Sequence, residues 1–370
     1  MNTVSKGLPV IEMRRAWNRR DVGYDGLFYF GVRTTGIFCR PSCTAKKPLA
    51  RNVVYFGSVR EASFAGYRPC KRCRPLEATG ATPLWMQRLL TLIERDPQRR
   101  LRNVQLRAMG IDPARARRHF QKHFGMTFQA YARARRLGRA FEQIKRGHPM
   151  DDVALGQGYE SNSGFREAFA RAFGSAPGAA RDADVLRVTW LESALGPLLA
   201  AADSKHVVLL EYAERRMLEA QFDTLRRRFK LPIVPGENEV LKILRQELVE
   251  YFGGRRTKFT VPLNYPGTPF QQKVWDELLK IPYGETRSYE DIARSVGSSS
   301  AVRAVGQTNG LNRICVVIPC HRVVNKDGKL GGYGGGLWRK QALLTLEQGQ
   351  KPMDLRPPEP QAQWGWLRHG

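Results

Sequence analysis

Two short cysteine pairs, Cys39-x3-Cys43 and Cys70-x2-Cys73, lie 26 residues apart and constrain this chain more than any other feature. Thiol pairs at such spacings, drawn from two separate segments, suit one tetrahedral Zn2+ with four thiolate ligands. One ion would then close residues 1–78 into a small domain. Disulfides are the competing reading. The chain shows no signal-peptide pattern over Met1–Glu12 and no apolar run long enough to cross a bilayer, so a cytoplasmic protein with reduced thiols is expected. Between the pairs, Val53–Phe56 is strand-like and Arg60–Ala65 helix-like, and Gly26–Val32 predicts a further strand upstream. Most closed four-cysteine sites do no more than hold a fold together.

The other two cysteines fall near the end. The apolar run Ile314-Cys315-Val316-Val317-Ile318 predicts a buried strand, with Cys315 in the core. Pro319 cannot continue a sheet ladder, so the strand should stop and turn there. Cys320 is then expected at the mouth of a rigid element, held and exposed, with His321 beside it. A thiol reacts as the thiolate and needs help near neutral pH. Neighbouring side chains in extended chain point to opposite sides, so a bridging water between Cys320 and His321 is expected. Taken alone, a buried cysteine beside a histidine is usually packing.

The surrounding text changes that. TPFQQKVWDELLKIPYGETRSYEDIA, RAVGQTNGLNRICVVIPCHRVV and GGYGGGLWRKQALLTLE, over Thr268–Glu347, resemble the catalytic domain of O6-alkylguanine-DNA alkyltransferases. The resemblance implies a single-turnover methylated-DNA–protein-cysteine S-methyltransferase acting on O6-methylguanine and O4-methylthymine. The lesion base must be flipped out of the duplex. By the same resemblance Arg303 fills the gap, Tyr289 pushes on the adjacent phosphate and donates to guanine O6, and Asn312 ties the turn to the active-site strand. Val323, Tyr333 and Gly334 line the base pocket; Glu347 orients His321, which deprotonates Cys320 through water. Tyr289–Val296 and Ser300–Thr308 match the family's helix-turn-helix, used in the minor groove. The glycines after Lys329 lack a closing Gly-Lys-Ser or Gly-Lys-Thr, so they are no phosphate loop. They read as backbone wall that a flat base approaches closely.

At the other end, FGVRTTGIFCRPSC (Phe30–Cys43) with YRPCKRC (Tyr67–Cys73) resembles the N-terminal domain of the bacterial Ada family. There the first zinc-bound cysteine also takes a methyl group from a DNA methylphosphotriester. Carried over, Cys39 is the acceptor, Cys43, Cys70 and Cys73 are the other ligands, and Arg33, Thr34, Arg40 and Lys46 cradle the phosphate. Zinc keeps a thiol deprotonated, so it stays nucleophilic at neutral pH. Methylating one of four thiolates removes a negative charge, which should raise affinity for DNA and act as a switch.

A net charge of +27 argues for a polyanionic partner, and double-stranded DNA comes first. From Arg99 to Arg146 there are fourteen Lys or Arg against two acids, interleaved with Phe120, Phe124, Phe128, Tyr131 and Phe141 at helical spacings. A packed core and a basic face therefore coexist. Ala108–Thr127 and Leu155–Pro177 share a glycine turn, a capping Asp or Ser, and a helix with Phe repeated four apart, and resemble the paired helix-turn-helix of AraC-type regulators. That places recognition helices from near Asp112 and Ser161 in successive major grooves, with Arg115, Arg117, Arg118, Asn162, Ser163 and Arg166 toward DNA. His119 and His123 have metal-ligand spacing without a third ligand and are expected to flank the core.

Leu186–Trp190 and Val207–Glu211 predict strands, followed by helices Met217–Phe229 and Asn238–Phe252. This segment resembles the ribonuclease-H-like subdomain that precedes alkyltransferase catalytic domains, and its expected role is structural. The expected fold is multidomain α+β: a zinc-bound α/β domain (1–78), an all-α double helix-turn-helix domain (83–178), a ribonuclease-H-like α/β subdomain (185–265), a helical alkyltransferase domain (266–349) and a disordered tail (350–370). Linkers are expected over Leu76–Thr82 and Gly178–Asp184. Expected partners are alkylated DNA, promoter DNA and RNA polymerase, with no membrane and a monomeric state. The competing functions are a zinc-containing regulator that recognises alkylated DNA without repairing it, and a cysteine hydrolase using Cys320 and His321.

Overall fold

The computed structural model describes residues 8–76, 82–96, 98–173, 176–180, 184–215 and 217–349. The expected tail, most of the first linker and residues 181–183 of the second lie outside them. In the N-terminal domain, α1 (Val10–Arg19) buries Met13, Ala16 and Trp17 on one stripe. The chain then forms β1 (Tyr29–Val32), β2 (Ile37–Cys39), β3 (Val53–Phe56), α2 (Val59–Phe64) and β4 (Arg68–Pro69). The sheet order is β3-β1-β2-β4, with β4 parallel to β2. The strand expected from Gly26 starts only at Tyr29, because Gly26 (φ 91°) turns the chain before it. The β1–β2 register sets Phe30 opposite Cys39, so the sheet delivers the first cysteine to a fixed point.

The helical segment comprises α3 (Leu84–Arg95), α4 (Asn103–Ala108), α5 (Pro113–Phe124), α6 (Phe128–Lys145), α7 (Met150–Gly156) and α8 (Asn162–Phe173). Two helix-turn-helix units share α6. Phe120, Phe124, Phe128 and Tyr131 pack in one core and Phe141, Phe165, Phe169 and Phe173 in another. The first core is continuous with the next domain, since it also holds Leu186, Val188, Leu199 and Phe222. At Gly138 a Cβ would sit 2.4 Å from Val234, so glycine lets α6 lie against the neighbouring sheet.

That sheet contains β5 (Leu186–Leu191), β6 (Leu198–Ala202), β7 (Val207–Tyr212) and, after α9 (Leu218–Phe229), β8 (Ile233–Pro235); α10 (Glu239–Phe252) follows. The order is β7-β6-β5-β8, antiparallel except for the β5–β8 pair. The alkyltransferase-like segment adds α11 (Pro269–Leu279), β9 (Arg287–Ser288), α12 (Tyr289–Ser295), α13 (Val302–Gly310), β10 (Val323–Val324) and α14 (Leu337–Glu347).

Ile314–Ile318 is not the expected buried strand. Ile314 makes one bridge to Leu210 of β7, held by Leu210 N–H to Arg313 O (2.8 Å) and Cys315 N–H to Leu210 O (2.8 Å). The chain then folds back on itself: Val317 N–H donates to Cys315 O, Ile318 N–H to Ile314 O, and Val316 takes φ 70°. A β-branched residue at positive φ is strained, and such strain persists only where the surroundings enforce it. The run is apolar because the turn is buried, and burial alone does not distinguish a turn from a strand.

Candidate active sites

Cys320 opens a short 3-10 turn, Cys320–Arg322, immediately after Pro319. The turn expected at Pro319 is present, but the thiol is buried where an exposed one was expected. Asn312 braces it: the side-chain amide donates to Ile318 O (2.9 Å) and its oxygen accepts from Ile314 N–H (3.0 Å). Asn309, on α13, donates to Cys320 O (3.2 Å). Burial pushes the Cys320 thiol up, while the Asn312 side chain and the Arg215 charge pull it down.

Behind the thiol lies a closed polar network. His321 Nε2 is 2.8 Å from Glu347 Oε1, and Arg322 reaches both Glu347 oxygens, at 2.8 and 2.9 Å. Tyr251 donates to the same carboxylate at 2.6 Å, as does Gly284 N–H at 3.2 Å. Burial alone would raise the Glu347 carboxyl; the hydrogen bonds from His321 and Arg322 outweigh it and hold it well below the usual carboxylate range. Burial also lowers the His321 imidazole against the pull of Glu347, so the ring is neutral near pH 7. With Nε2–H given to Glu347, Nδ1 is the acceptor, and it has no protein partner. Among the described residues there is no direct Cys320–His321 hydrogen bond.

Next to the site, reached through Asn309, which holds Cys320 O, a cleft of ≈ 550 Å³ is lined by Tyr289, Arg303, Gly306, Asn309, Gly310 and the loop Gly331–Gly334, and Cys320 itself does not line it. Arg303 is exposed on α13. Tyr289 lies against Gly331, where a Cβ would sit 2.6 Å from the ring, so this glycine permits close approach. Tyr333 and Gly334 line the cleft; Val323 is fully buried on β10 behind it and does not. Lys340 donates to Val323 O (2.5 Å) and Gly331 O (3.2 Å), and burial pushes its amine down to about 8.

In the N-terminal domain the four Sγ atoms of Cys39, Cys43, Cys70 and Cys73 lie within 4.8 Å of one another, and three of these residues are buried. This is the one such cluster among the described residues. Zinc–thiolate bonds of about 2.3 Å put tetrahedral sulfurs roughly 3.8 Å apart, so the donor set fits the ion. Local backbone builds it: Cys43 N–H donates to Arg40 O (3.0 Å), Cys70 N–H to Phe38 O (3.0 Å) and Arg40 N–H to Cys73 Sγ (3.4 Å). Cys39 and Cys43 face a small cavity lined also by Trp17, Arg20, Lys46 and Lys47. Lys46 is thus brought to the cysteines. Arg33 and Thr34 are exposed on the β1–β2 turn and do not line this cavity, and Arg40 donates to Arg74 O at 3.1 Å.

In the helical segment, Asp112 caps α5 by accepting from Ala114 and Arg115 N–H, and Ser161 accepts from Gly164 N–H at the start of α8. Arg115, Arg117 and Arg118 are exposed on α5, with Arg115 over the Trp85 ring, and Asn162, Ser163 and Arg166 are exposed on α8. Asn162 donates to Asp151 (2.7 Å), and Ser163 to Ser161 (3.3 Å). His119 and His123 pack ring on ring at 4.2 Å, and burial pushes them down to about 4 and about 3, as core residues rather than ligands.

Sequence reasoning missed Tyr251, Arg322, Lys340 and Asn309 at the thiol, and Arg20 and Lys47 at the zinc cluster. Lys340 carries little signal, since it sits beside Arg339 and Gln341 in the polar first half of α14. Tyr251 carries none, being 96 residues from the carboxylate it meets.

Family models match almost the whole chain in sequence. Residues 12–76 match the metal binding domain of Ada, 106–183 a helix-turn-helix domain, 186–265 the ribonuclease-like domain of 6-O-methylguanine DNA methyltransferase, and 269–349 its DNA binding domain. The regulatory protein ada of Salmonella typhimurium is 34% identical over 89% of this chain and 94% of its own length. The bifunctional transcriptional activator/DNA repair enzyme Ada of Escherichia coli is 33% identical over 89% of this chain and 93% of its own. The methylated-DNA–protein-cysteine methyltransferase of Mycobacterium bovis is 45% identical over 45% of this chain and 94% of its own.

Proposed function

The chain belongs to the Ada family, and from that premise we propose that it repairs alkylated DNA at two thiols and carries the outcome of one repair to promoters. It is a DNA-binding, single-turnover methylated-DNA–protein-cysteine methyltransferase and a transcription regulator that holds zinc.

At the C-terminal site an O6-methylguanine flips into the Tyr289–Gly334 cleft while Arg303 occupies its place in the stack. Cys320 gives its proton through water to His321 Nδ1, and Glu347 stabilises the imidazolium that results. The sulfur attacks the methyl carbon in line; the S–C bond forms as the C–O6 bond breaks. Tyr289 donates to the departing O6. The product thioether offers no leaving group, so each molecule reacts once. The observation that carries this reading is the His321–Glu347–Arg322–Tyr251 network, which leaves His321 Nδ1, next in sequence to the thiol, as a buried acceptor without a protein partner. A hydrolase would require an oxyanion hole and turnover.

At the N-terminal site Cys39 takes the methyl of a phosphotriester, leaving a phosphodiester anion. Bound zinc supplies the positive charge that keeps the four thiols deprotonated. Lys46, Arg20 and Lys47 surround the cysteines with positive charge suited to the phosphate. Methylation removes one negative charge from the cluster and raises DNA affinity; α5 and α8 then read promoter DNA, and the bound protein recruits RNA polymerase. It acts as a monomer in the cytoplasm.

Peptide mass mapping after incubation with methylated DNA tests this. One methyl on the Cys39 peptide and one on the Cys320 peptide are expected. Methyl on Cys320 alone reduces the zinc domain to a binding module, and methyl on neither leaves a regulator that only recognises lesions.

A further inference from the structure

We propose that Arg215, on the ribonuclease-like subdomain, is a positioning residue for transfer to Cys320: it clamps the end of α13, the active-site turn and the base-pocket loop into one geometry. This rests on the transfer reading above. Arg215 is buried, and its guanidinium forks between two carbonyls, Nη1 to Asn312 O (3.1 Å) and Nη2 to Gly310 O. Gly310 ends the helix that carries Arg303, where free carbonyls and the helix dipole favour a cation. Asn312 is the residue whose side chain braces the turn leading to Cys320. On its third side Arg215 supports Gly334, where a Cβ would sit 2.6 Å from the guanidinium carbon. Gly310, Tyr333 and Gly334 line both the DNA-side cleft and the cavity on the Arg215 side, so the loop is a thin wall and Arg215 is its backing.

Glu211 fixes the guanidinium from behind through an ion pair and is itself held by Tyr212 N–H (3.0 Å) and Gln221 (3.2 Å). A buried ion pair of this kind is poor evidence of added stability, since an apolar replacement of both partners often stabilises as well. What an apolar pair cannot supply is the fork. Lysine keeps the charge but cannot bridge two carbonyls in a fixed plane. Misplacement of reacting groups by about an ångström costs on the order of 100-fold in rate.

The test uses the full chain, zinc-loaded, in single-turnover transfer from an excess of O6-methylguanine duplex, fitted for the saturating rate and the half-saturating DNA concentration. Two variants are made: Arg215→Lys, and the double variant Glu211→Gln/Arg215→Met, which leaves no orphaned buried charge. Thermal melting establishes that each is folded. The saturating rate should fall roughly 10-fold in R215K and about 100-fold in the double variant, with half-saturation within about twofold of wild type. A wild-type saturating rate in either folded variant, or a loss confined to half-saturation, overturns the clamp. Wild-type protein that leaves Cys320 unmethylated overturns the transfer reading, and the clamp with it.

Discussion

The two candidate acceptor thiols are nearly equally buried, Cys39 at 4% and Cys320 at 5% exposure, yet the fold prepares them by opposite means. Cys39 sits among three other sulfurs beneath Arg20, Lys46 and Lys47, a set built from backbone turns within one small domain. In the proposed reading its activation is electrostatic and local. Cys320 belongs to no such cluster among the described residues. In that reading it relies on a neutral imidazole held by a carboxylate that collects donors from Tyr251, Gly284 and Arg322, elements far apart in the chain. One site is made by spacing in sequence, the other by tertiary assembly.

Separating the two thiols should give the largest effects. Cys39→Ala should abolish methylation at the zinc domain and leave the Cys320 peptide fully methylated, and Cys320→Ala the reverse, read by mass mapping. Chelating the zinc should unfold residues 8–76 and end phosphotriester repair, while circular dichroism and transfer to Cys320 retain the rest.

His321→Gln removes the proton acceptor from one site alone. Transfer to Cys320 should slow by about 10²–10⁴-fold, the usual range for a general base, with Cys39 unaffected in the same sample. Glu347→Gln should slow it too. It should also lower the melting transition of the C-terminal half, since breaking a buried pair costs about 3–5 kcal/mol by stranding the Arg322 charge.

The pH dependences should diverge. Burial raises the Cys320 thiol, so it stays protonated through neutrality and depends on neutral His321 to take its proton. Its transfer rate should therefore rise as pH climbs through the lowered imidazole range, below about 6.5, and level off through neutrality, whereas the metal-held thiol should give a flat profile. Stability runs in the same direction, at lower pH. The Glu347 carboxyl is depressed in the folded protein, so its contribution is complete above the usual glutamate range and is lost as pH falls below about 4.3. Acid melts should find the C-terminal half weakening in that window. The smallest effect is expected for Lys46→Ala, which should lower the salt slope of DNA binding by the zinc domain by about one and leave the Cys320 rate unchanged.

Much of this was legible in the residues. The zinc cysteines form two close pairs that begin at the end of β2 and just after β4, so spacing alone groups each pair. The caps Asp112 and Ser161 mark the starts of α5 and α8 because capping is local chemistry. Strands β6 and β8 went unread. β6 is Leu-Leu-Ala-Ala-Ala, a run with little strand preference that is buried on both faces, and β8 is three residues long, preceded by Pro232 and ending on Pro235. The buried turn at Ile314–Ile318 was misread as a strand because both present the same apolar run.

The zinc cysteines and the basic helical middle, and with them the proposed Cys-His step, are readable from the chain alone, since each depends on neighbours a few residues away. It took the folded chain to bury Cys320, to bring Tyr251 and Arg322 to Glu347, and to set Arg215 against Gly334. Those contacts join residues tens to more than a hundred positions apart, and nothing in local spacing or periodicity encodes which distant polar groups must satisfy one another once the core closes over them.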